Sequence, residues 1–419
     1  MFVVRKSLLR PEFRHMEGLD MKKIIMIGGS FGGLTAAFEL RRQLGRRVEI
    51  TVVSETDAFA FAPSFPWVAL GSRQPQDISI GLERLLTRKG INFLNSTVLR
   101  IDPVNQQVDV GNRFLDYDYL VMATGAHLDF AAIPGLGPEN GYTHSIMTLE
   151  HAVETNKAWR KYLEKGGPIV VGSTQGVSCF GPAYEFIFGA EYALWKLGLR
   201  EKASLTFVTS EPYVSHFGLG GFRQAGRVIE DDFAEKGIKV FTNATVKEVQ
   251  PDRVILGDGT ELPFEFSLFV PPFRGVDAVV NSGLGNPKGF VVVDDYYRHK
   301  AYPNIYVTGV AVAVAPKEAT PVPTGVPKTG YMTEHMSKVV AHNIAAEILG
   351  REARALPVGK LDVTCIADLG EKAAFMTAKP ALPPREKTYL KKARWAHRLK
   401  VVFERYFLFK LKRGMMNLP

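Results

Sequence analysis

Cysteine is scarce in this sequence: Cys179 and Cys365 are the only two in a chain of 419 residues. So few cysteines exclude the disulfide-rich scaffolds of small secreted proteins. The two positions lie far apart in the sequence, so only tertiary structure can bring them together. They are therefore either ordinary buried thiols or a redox pair, and their context must decide between the two.

Long apolar runs are also missing. No stretch reaches the roughly 20 apolar residues that a membrane-spanning helix needs. The first 20 residues, MFVVRKSLLRPEFRHMEGLD, mix charges and lack the apolar core of a signal peptide. We therefore predict that residues 1–20 form a flexible extension, that no signal peptide is present and that the protein stays inside the cell.

Basic charge is abundant, but in one place only. The formal net charge is +9. The segment 385–413 holds eleven Lys/Arg and two Glu, which accounts for the whole excess. The rest of the chain is nearly neutral, which argues against a nucleic-acid-binding body.

The same segment contains an amphipathic pattern between Arg394 and Leu411. Its apolar residues recur at helical spacing: Trp395, Leu399, Val402, Phe403 and Tyr406. A basic amphipathic helix of this kind lies in a membrane interface and favours anionic lipid. The pattern predicts membrane contact through residues 385–413, with packing of the helix on the protein body as the open alternative.

A glycine-rich loop follows the first predicted strand. KKIIMI (22–27) is succeeded by GGSFGG, a helical run and a second strand, RVEITVV, which ends before Ser54. This order is typical of a dinucleotide-binding βαβ unit, with Gly28, Ser30 and Gly33 at its three fingerprint positions. Ser30 replaces the middle glycine. Ser54 stands where an acidic residue usually binds the ribose, and the adjacent Glu55 could substitute for it.

Later segments predict a flavoprotein with two such units. YDYLVMATGAH contains Thr124 and Gly125 after a strand, and NIYVTGVA contains Gly309 after another. Both resemble strands that support the flavin in proteins with two dinucleotide-binding domains. Between them a second βαβ pattern ends in RVILGDGTEL, whose Asp-Gly turn indicates a hairpin.

The predicted fold class is α/β, with two Rossmann-like dinucleotide-binding domains as in the flavin disulfide reductases and an amphipathic C-terminal helical segment. Residues 21–149 and 285–355 form the predicted flavin domain. Residues 150–284 form the second domain, and residues 356–419 form the C-terminal segment.

The second glycine loop is degenerate. In GSTQGVSC only Gly172 of the three expected glycines is present, because Thr174 and Val177 occupy the other two positions. Their side chains would crowd a pyrophosphate. The loop either packs as an inherited remnant, or it was rebuilt around Cys179 for a small electron donor in place of a nicotinamide.

Several motifs resemble the sulfide:quinone oxidoreductase family: GVSCFGPAYEF, PVPTGVPKTGYMTEHM, VTCIADLGEKAAF, RWAHRLKVVFERYF, FAPSFPWVALG and TSEPYVSHFG. The resemblance implies that Cys179 and Cys365 are the two essential redox cysteines. It also implies that His151 and His216 lie near the sulfur site. Many members have a third cysteine where this chain has Met147, so a two-cysteine cycle must suffice.

The resemblance also implies a reaction. Hydrosulfide attacks a disulfide or sulfur-bridged cysteine pair, Cys365 carries the persulfide, and the Cys179 thiolate passes the electron pair to the flavin. Polysulfide or sulfur then leaves. A helix with Pro327 in its first turn, running to about Leu349, directs its amino terminus and Lys328 at the flavin N1–O2 edge.

The family further implies FAD as cofactor, a membrane quinone as acceptor, and no metal or nucleic acid. It implies a peripheral, monotopic position on the cell membrane, and a homo-oligomer is left open. Beside the fingerprint residues above, Pro63 falls in a family motif near the cofactor. The residues expected at the quinone are Phe403, Lys400 and Gly325.

Three other functions remain open from the sequence. A type II NADH:quinone oxidoreductase shares the fold but needs an intact second loop. A flavocytochrome-type sulfide dehydrogenase shares the cysteine pair but works outside the cytoplasm with a haem subunit. A non-catalytic sulfide-binding flavoprotein would be bleached by sulfide without turning over a quinone.

Overall fold

A computed structural model describes residues 21–220 and 223–416. The predicted extension at residues 1–20 lies outside this range. The described chain forms two parallel sheets with flanking helices, followed by a small antiparallel sheet and a last helix.

The strands and helices follow one another in three stretches. The first contains β1 (Lys22–Ile27), α1 (Phe31–Leu44), β2 (Val48–Ser54), β3 (Ala58–Ala60), α2 (Phe65–Ala69), β4 (Ser79–Gly81), α3 (Leu82–Thr87), β5 (Asn92–Asn95), β6 (Arg100–Asp102), β7 (Gln107–Asp109), β8 (Phe114–Asp116), β9 (Tyr119–Met122) and β10 (His127–Leu128). The second contains α4 (Leu149–Lys165), β11 (Ile169–Ser173), α5 (Gly181–Lys196), β12 (Leu205–Thr209), α6 (Arg223–Glu235), β13 (Ile238–Phe241), β14 (Val246–Gln250), β15 (Arg253–Leu256), β16 (Glu261–Pro263), β17 (Phe266–Val270), β18 (Phe273–Arg274) and α7 (Asp277–Asn281). The third contains β19 (Ile305–Val307), α8 (Gly330–Leu349), β20 (Val363–Asp368), β21 (Ala373–Lys379), β22 (Lys387–Ala393) and α9 (Arg394–Leu411).

The first parallel sheet has the strand order β19-β9-β1-β2-β5. Its central strands are short apolar runs buried on both faces, as parallel strands covered by helices require. Helices α1 and α8 pack together over this sheet. Along the chain, strands are added first on one side of β1 (β2, β5) and later on its other side (β9, β19). Open α/β sheets bind ligands where the strand order changes side in this way, just beyond the carboxyl ends of the strands.

The second parallel sheet has the order β13-β12-β11-β17. Strands β15 and β16 pair antiparallel around the Asp-Gly turn, as predicted for a hairpin there. A separate apolar cluster, which includes Val249, Val254 and Phe269, fills the space between this hairpin sheet and the parallel sheet. The α/β fold class with two Rossmann-like sheets is confirmed.

Helix α8 begins later than predicted. It starts at Gly330, because the Thr329 hydroxyl accepts the Met332 N–H at 3.3 Å and caps the first turn. Pro327 therefore precedes the helix, and the prediction that it lies in the first turn is wrong. The predicted end at Leu349 is confirmed, since Gly350 adopts a left-handed φ of 64° and stops the helix.

Helix α9 occupies the predicted range and has two different faces. One face packs on the body through buried residues that include Ala396, Phe407 and Leu411. The opposite face leaves apolar side chains exposed: Trp395, Leu399, Val402, Tyr406 and Phe409. Packing on the body and an exposed apolar face thus coexist. In the described part of the chain, no helix combines the length and the apolar character needed to cross a membrane.

Candidate active site

The first glycine loop has the shape of a pyrophosphate cradle. Gly28 has a φ of +113°, and a Cβ there would lie 2.2 Å from the Ala123 carbonyl oxygen. A Cβ on Gly33 would lie 1.9 Å from the Gly28 carbonyl oxygen. Neither position tolerates a side chain, so the strand and α1 approach as closely as this motif requires. Ser30, between them, is exposed at the amino end of α1 and makes no capping bond of its own.

The carboxyl end of the same sheet offers unused polar groups. The Thr124 hydroxyl is buried without a hydrogen-bond partner among the described residues. Gly125 has a φ of +70° with open space where a Cβ would stand. Ser54 ends β2 with its hydroxyl 3.4 Å from that of Thr56, and Glu55 presents an exposed carboxylate beside it. A buried hydroxyl without a partner next to a glycine with open space fits a bound dinucleotide.

Lys328 lies near the amino end of α8. Its Nζ donates to the Val312 carbonyl at 3.3 Å and sits 5.0 Å from the centre of the Phe290 ring. Burial lowers the pKa of Lys328 to about 8. A partly buried cation with a carbonyl and a ring as neighbours fits the anionic edge of a cofactor. Gly309, which follows β19, holds α8 close, because a Cβ there would lie 3.0 Å from Thr333. Pro63 is exposed in a short turn, Ala62–Ser64, on the α9 side of this region.

The second glycine loop is occupied by the protein's own chain. The Thr174 N–H donates to Val270 at 3.2 Å and the Gly176 N–H to Pro323 at 2.7 Å. Gly325 in turn donates to the Val177 carbonyl at 2.7 Å. The N–H groups of Thr174 and Gly176 belong to the loop that would face a pyrophosphate in an intact nicotinamide site. The segment 321–326 therefore takes the place that a second nucleotide would need.

Gly325 fixes this segment against the cysteine loop. A Cβ at Gly325 would lie 2.8 Å from the Ser178 Cβ, next to Cys179. The structure thus places Gly325 at the sulfur side of the site, whereas Phe403 and Lys400, the other residues expected at the quinone, lie on α9.

The two cysteines come together. Cys179 immediately precedes α5, Cys365 lies in β20, and α5 packs on β20. Both are free and partly exposed. Burial, followed by the nearby Cys365, raises the pKa of Cys179 to about 12. Burial, followed by the carboxylate of Glu185, raises the pKa of Cys365 to about 11. A thiolate formed at either position is therefore destabilised relative to the neutral thiol, which favours any reaction that removes its negative charge.

Glu185 is a site residue that the sequence reasoning missed. It lies on the second turn of α5, where its carboxylate pairs with the Lys400 ammonium of α9. Burial raises the pKa of Glu185 to about 7, although Lys400 opposes the shift. A carboxyl group that titrates near neutrality beside two thiols can accept or donate a proton there. The available signal was an acidic residue in the apolar first half of a helix that begins just after Cys179.

His216 lies in a strained loop that packs against the cysteine loop. Its Nδ1 accepts the Gly218 N–H at 3.2 Å, so its proton is on Nε2, which donates to Glu318 at 3.2 Å. Burial lowers its pKa. A Cβ on Gly218 would lie 2.0 Å from the Gly325 carbonyl and 3.2 Å from the Phe180 ring, which locates this loop beside Cys179.

A buried acid holds this loop. Glu211 accepts hydrogen bonds from the Tyr184 hydroxyl at 2.7 Å and from the Phe217 N–H at 2.6 Å. The Ser215 N–H donates to the same tyrosine oxygen at 3.0 Å. Ser215 and Phe217 have positive φ values of 68° and 53°, which cost about 1 kcal/mol each or more. Glu211 and Tyr184 therefore offset the strain that positions His216.

His151 lies in the first turn of α4. Its backbone N–H donates to the Thr148 hydroxyl at 3.1 Å, and its ring packs edge-on to Phe130 at 5.8 Å. Its Nε2 is 3.8 Å from a Glu139 oxygen, and its Nδ1 is buried without a hydrogen-bond partner among the described residues. Its position near the sulfur site stays a prediction.

Phe403 joins an aromatic cluster between α9 and the first glycine loop. Its ring is 5.8 Å from Phe61 and 6.0 Å from Phe407. Phe407 lies 5.5 Å from Phe31, the first residue of α1. These rings connect the cofactor end of α1 to the exposed apolar face of α9, so a flat hydrophobic acceptor could reach the cofactor along them.

Comparisons with known proteins agree with this geometry. Residues 22–332 match the model of the family "Pyridine nucleotide-disulphide oxidoreductase". The chain is 43% identical to the sulfide-quinone reductase of Aquifex aeolicus, over 94% of this chain and 92% of that protein. The crystal structure of the sulfide:quinone oxidoreductase from that bacterium superposes with a TM-score of 0.90 at 42% identity, covering 94% of this chain and 92% of the other. A type II NADH:quinone oxidoreductase of Staphylococcus aureus is 22% identical, over 89% of this chain and 94% of its own.

Proposed function

The chain belongs to the pyridine nucleotide-disulphide oxidoreductase family and, within it, to the sulfide-quinone reductases, and we propose that Cys179 and Cys365 carry electrons from sulfide through FAD to a membrane quinone. The observation that supports this most directly is the meeting of two cysteines that lie far apart in the sequence. They meet beside a carboxyl group that titrates near neutral pH.

The sulfur step needs only this pair and a proton acceptor. Hydrosulfide attacks the bridge between the two cysteines at Cys365, so that a new S–S bond forms there as the old one breaks. Cys179 leaves as a thiolate, and charge and atoms balance. Burial makes this thiolate unstable, which favours its rapid loss of the electron pair. Glu185 takes the proton of the persulfide. Once Cys179 has passed on its electron pair, the outer persulfide sulfur can bond to it and restore a bridge that is one sulfur longer. Each further sulfide lengthens the chain in the same way, with one more electron pair passed on.

FAD, when bound, accepts the electron pair from the sulfur site and passes it to the quinone. Gly28, Ser30 and Gly33 would hold its pyrophosphate, and Ser54 with Glu55 its ribose. Thr124, Gly125 and Gly309 would border the rest of the molecule. Lys328 would place positive charge at the edge where the negative charge of the reduced ring develops.

The acceptor side is the surface of α9. We propose that its exposed apolar face lies in the interface of the cell membrane, with the basic residues of 385–413 against anionic headgroups. Phe403 then stands between lipid and cofactor, where a quinone ring can stack. This gives peripheral, monotopic association without a spanning helix.

The competing NADH-dependent function is disfavoured by the filled second loop. Gly176 and Gly325 are both committed to backbone bonds that close the site. A flavocytochrome-type sulfide dehydrogenase is disfavoured by the exposed apolar face of α9. Electron transfer to a haem subunit does not require such a face, whereas contact with a membrane does.

The test is an anaerobic titration of the purified flavoprotein. We expect sulfide to bleach the flavin, decylubiquinone to restore it, and NADH to leave it oxidised. In Cys179→Ser and in Cys365→Ser, the rate at which sulfide bleaches the flavin should fall at least about 100-fold, because neither variant can form the bridge that sulfide attacks. Bleaching by NADH in place of sulfide would overturn the proposal, and bleaching by sulfide without quinone turnover would indicate a sulfide-binding protein instead.

A further inference from the structure

Reduction of a quinone needs a proton that sulfide does not supply. The balance at neutral pH is HS⁻ + Q + H⁺ → S⁰ + QH₂, so one of the two protons on the quinol must come from solvent. Lys400, which is expected at the quinone, is only 3% exposed. A proton that reaches the quinone through Lys400 therefore has to pass the residues packed around it on the buried face of α9.

Three residues of α9 are spaced for such a path. His397, Lys400 and Phe403 follow at intervals of three, so each lies about 60° around the helix from the one before. The His397 side chain is 33% exposed, Lys400 is buried, and Phe403 is half-buried next to the apolar face. From His397 to Phe403, the three side chains thus lead from solvent to the buried Lys400, which is paired with Glu185, and on to the expected quinone.

A carboxylate orients the outer member. Asp368, three residues after Cys365 on β20, accepts the His397 Nδ1 proton at 3.0 Å. Its other oxygen accepts the Trp67 Nε1–H, and this indole ring lies 4.8 Å from the Lys400 Nζ and 6.2 Å from the His397 ring. With Nδ1 fixed by Asp368, Nε2 is left to exchange protons.

We propose that His397, oriented by Asp368, is the proton relay that connects solvent to the buried Lys400–Glu185 pair during quinone reduction. The inference rests on the proposed function, but the two residues that it adds, His397 and Asp368, take no part in the sulfur chemistry. In each turnover His397 passes one proton inward, the Lys400–Glu185 pair delivers it to the quinone oxygen, and His397 is reprotonated from water.

The charges around the imidazole suit this task. The hydrogen bond that His397 donates to Asp368 raises the pKa of His397. Burial, together with Lys400 on its own helix and Arg73 after α2, opposes the rise. Because the pKa is raised, the imidazole keeps its proton to a higher pH than a free histidine does. Its supply of protons should fall as pH rises through that pKa.

The experiment compares the two half-reactions in the holoenzyme by stopped flow, for the wild type, His397→Gln and Asp368→Asn. We expect reoxidation by decylubiquinone to slow by more than about tenfold in His397→Gln and to lose its decline at high pH. Sulfide bleaching should stay within about twofold of the wild type, and added imidazole should restore part of the reoxidation rate. The reoxidation rate of Asp368→Asn should lie between those of the wild type and His397→Gln. His342→Gln, a histidine on α8, is the matched control and should change neither half-reaction.

A second readout does not depend on turnover. Carbethoxylation of His397 by diethyl pyrocarbonate, followed by mass spectrometry across pH, reports its pKa directly. The midpoint should fall in Asp368→Asn. Unchanged reoxidation in His397→Gln, or an equal loss in both half-reactions, would overturn the relay while leaving the proposed function intact. A wild type that sulfide bleaches but quinone cannot reoxidise would overturn both.

Discussion

At the scale of single residues, the site depends on buried acids whose surroundings assign them different tasks. Glu185 has a lysine partner and faces the sulfurs, whereas Glu211 is surrounded by neutral donors and faces a strained loop. Burial raises the pKa of both to about 7. One carboxyl group can therefore move protons at the cysteines, while the other keeps His216 in place.

Glu211 should make the stability of the protein depend on pH. Its folded pKa is raised from 4.5 to about 7, so its contribution is fully present below about pH 4.5 and is lost as pH rises through about 7. The loss amounts to up to about 3 kcal/mol. We expect Glu211→Gln to show a smaller fall in melting temperature between pH 5 and pH 8 than the wild type. Glu201→Gln, at an exposed acid in a turn, should match the wild type, and an equally steep fall in the Glu211 variant would contradict the assignment.

At the scale of elements, α9 is held to the body by a polar bridge as well as by apolar packing. Glu404 is buried and pairs with Arg73 at 2.9 Å, while the Ser64 hydroxyl donates to its other oxygen. Arg73 also stacks on Trp67, 4.6 Å from the ring centre. Since Ser64 precedes α2 and Arg73 follows it, the bridge ties the helix that carries Phe403 to the wall of the cofactor domain.

Removal of Arg73 should loosen α9 without unfolding the rest. Arg73→Gln leaves the Glu404 carboxylate buried without its cation, at a cost of about 1–3 kcal/mol after allowance for the partial exposure of the arginine. Hydrogen exchange should accelerate in Arg394–Leu411 and stay unchanged in β1 and β9. Arg42→Gln, which removes an exposed pair with Glu39, is the control with an expected effect below about 0.5 kcal/mol. Uniform acceleration across the molecule would show that Arg73 acts on global stability instead.

At the scale of the whole molecule, the proposed function assigns three partners to two sheets and one appended helix. In that proposal sulfide meets the cysteines between α5 and β20, the cofactor lies over the carboxyl ends of the first sheet, and lipid meets the outer face of α9. The positive charge of the chain is concentrated at the third of these places. The molecule should therefore bind a surface in one orientation only.

Binding to anionic vesicles should require the exposed face of α9. Leu399 and Val402 are exposed apolar residues on that face, the latter at 61%. We expect the double variant Leu399→Asp/Val402→Asp to lower binding to vesicles of mixed neutral and anionic lipid by more than about tenfold in a flotation assay. Binding by the wild type should weaken as salt rises. Val104→Asp, at an apolar residue exposed elsewhere, should bind normally, and full binding by the α9 variant would move the membrane contact to another surface.

The sequence predicted the fold better than the details of the site. Strand–glycine–helix order identified both sheets, and helical spacing identified α9, because these signals are local. The start of α8 was missed because the Thr329 cap, not the proline before it, ends the preceding loop. Glu185 and Asp368 were missed because their roles arise from partners more than 25 residues distant, which no local pattern reveals.

The segment 321–326 also bears on which electron donors the enzyme can use. Because the polypeptide itself bonds to the loop that would hold a nicotinamide nucleotide, we expect the rate of the reaction not to respond to the supply of NADH.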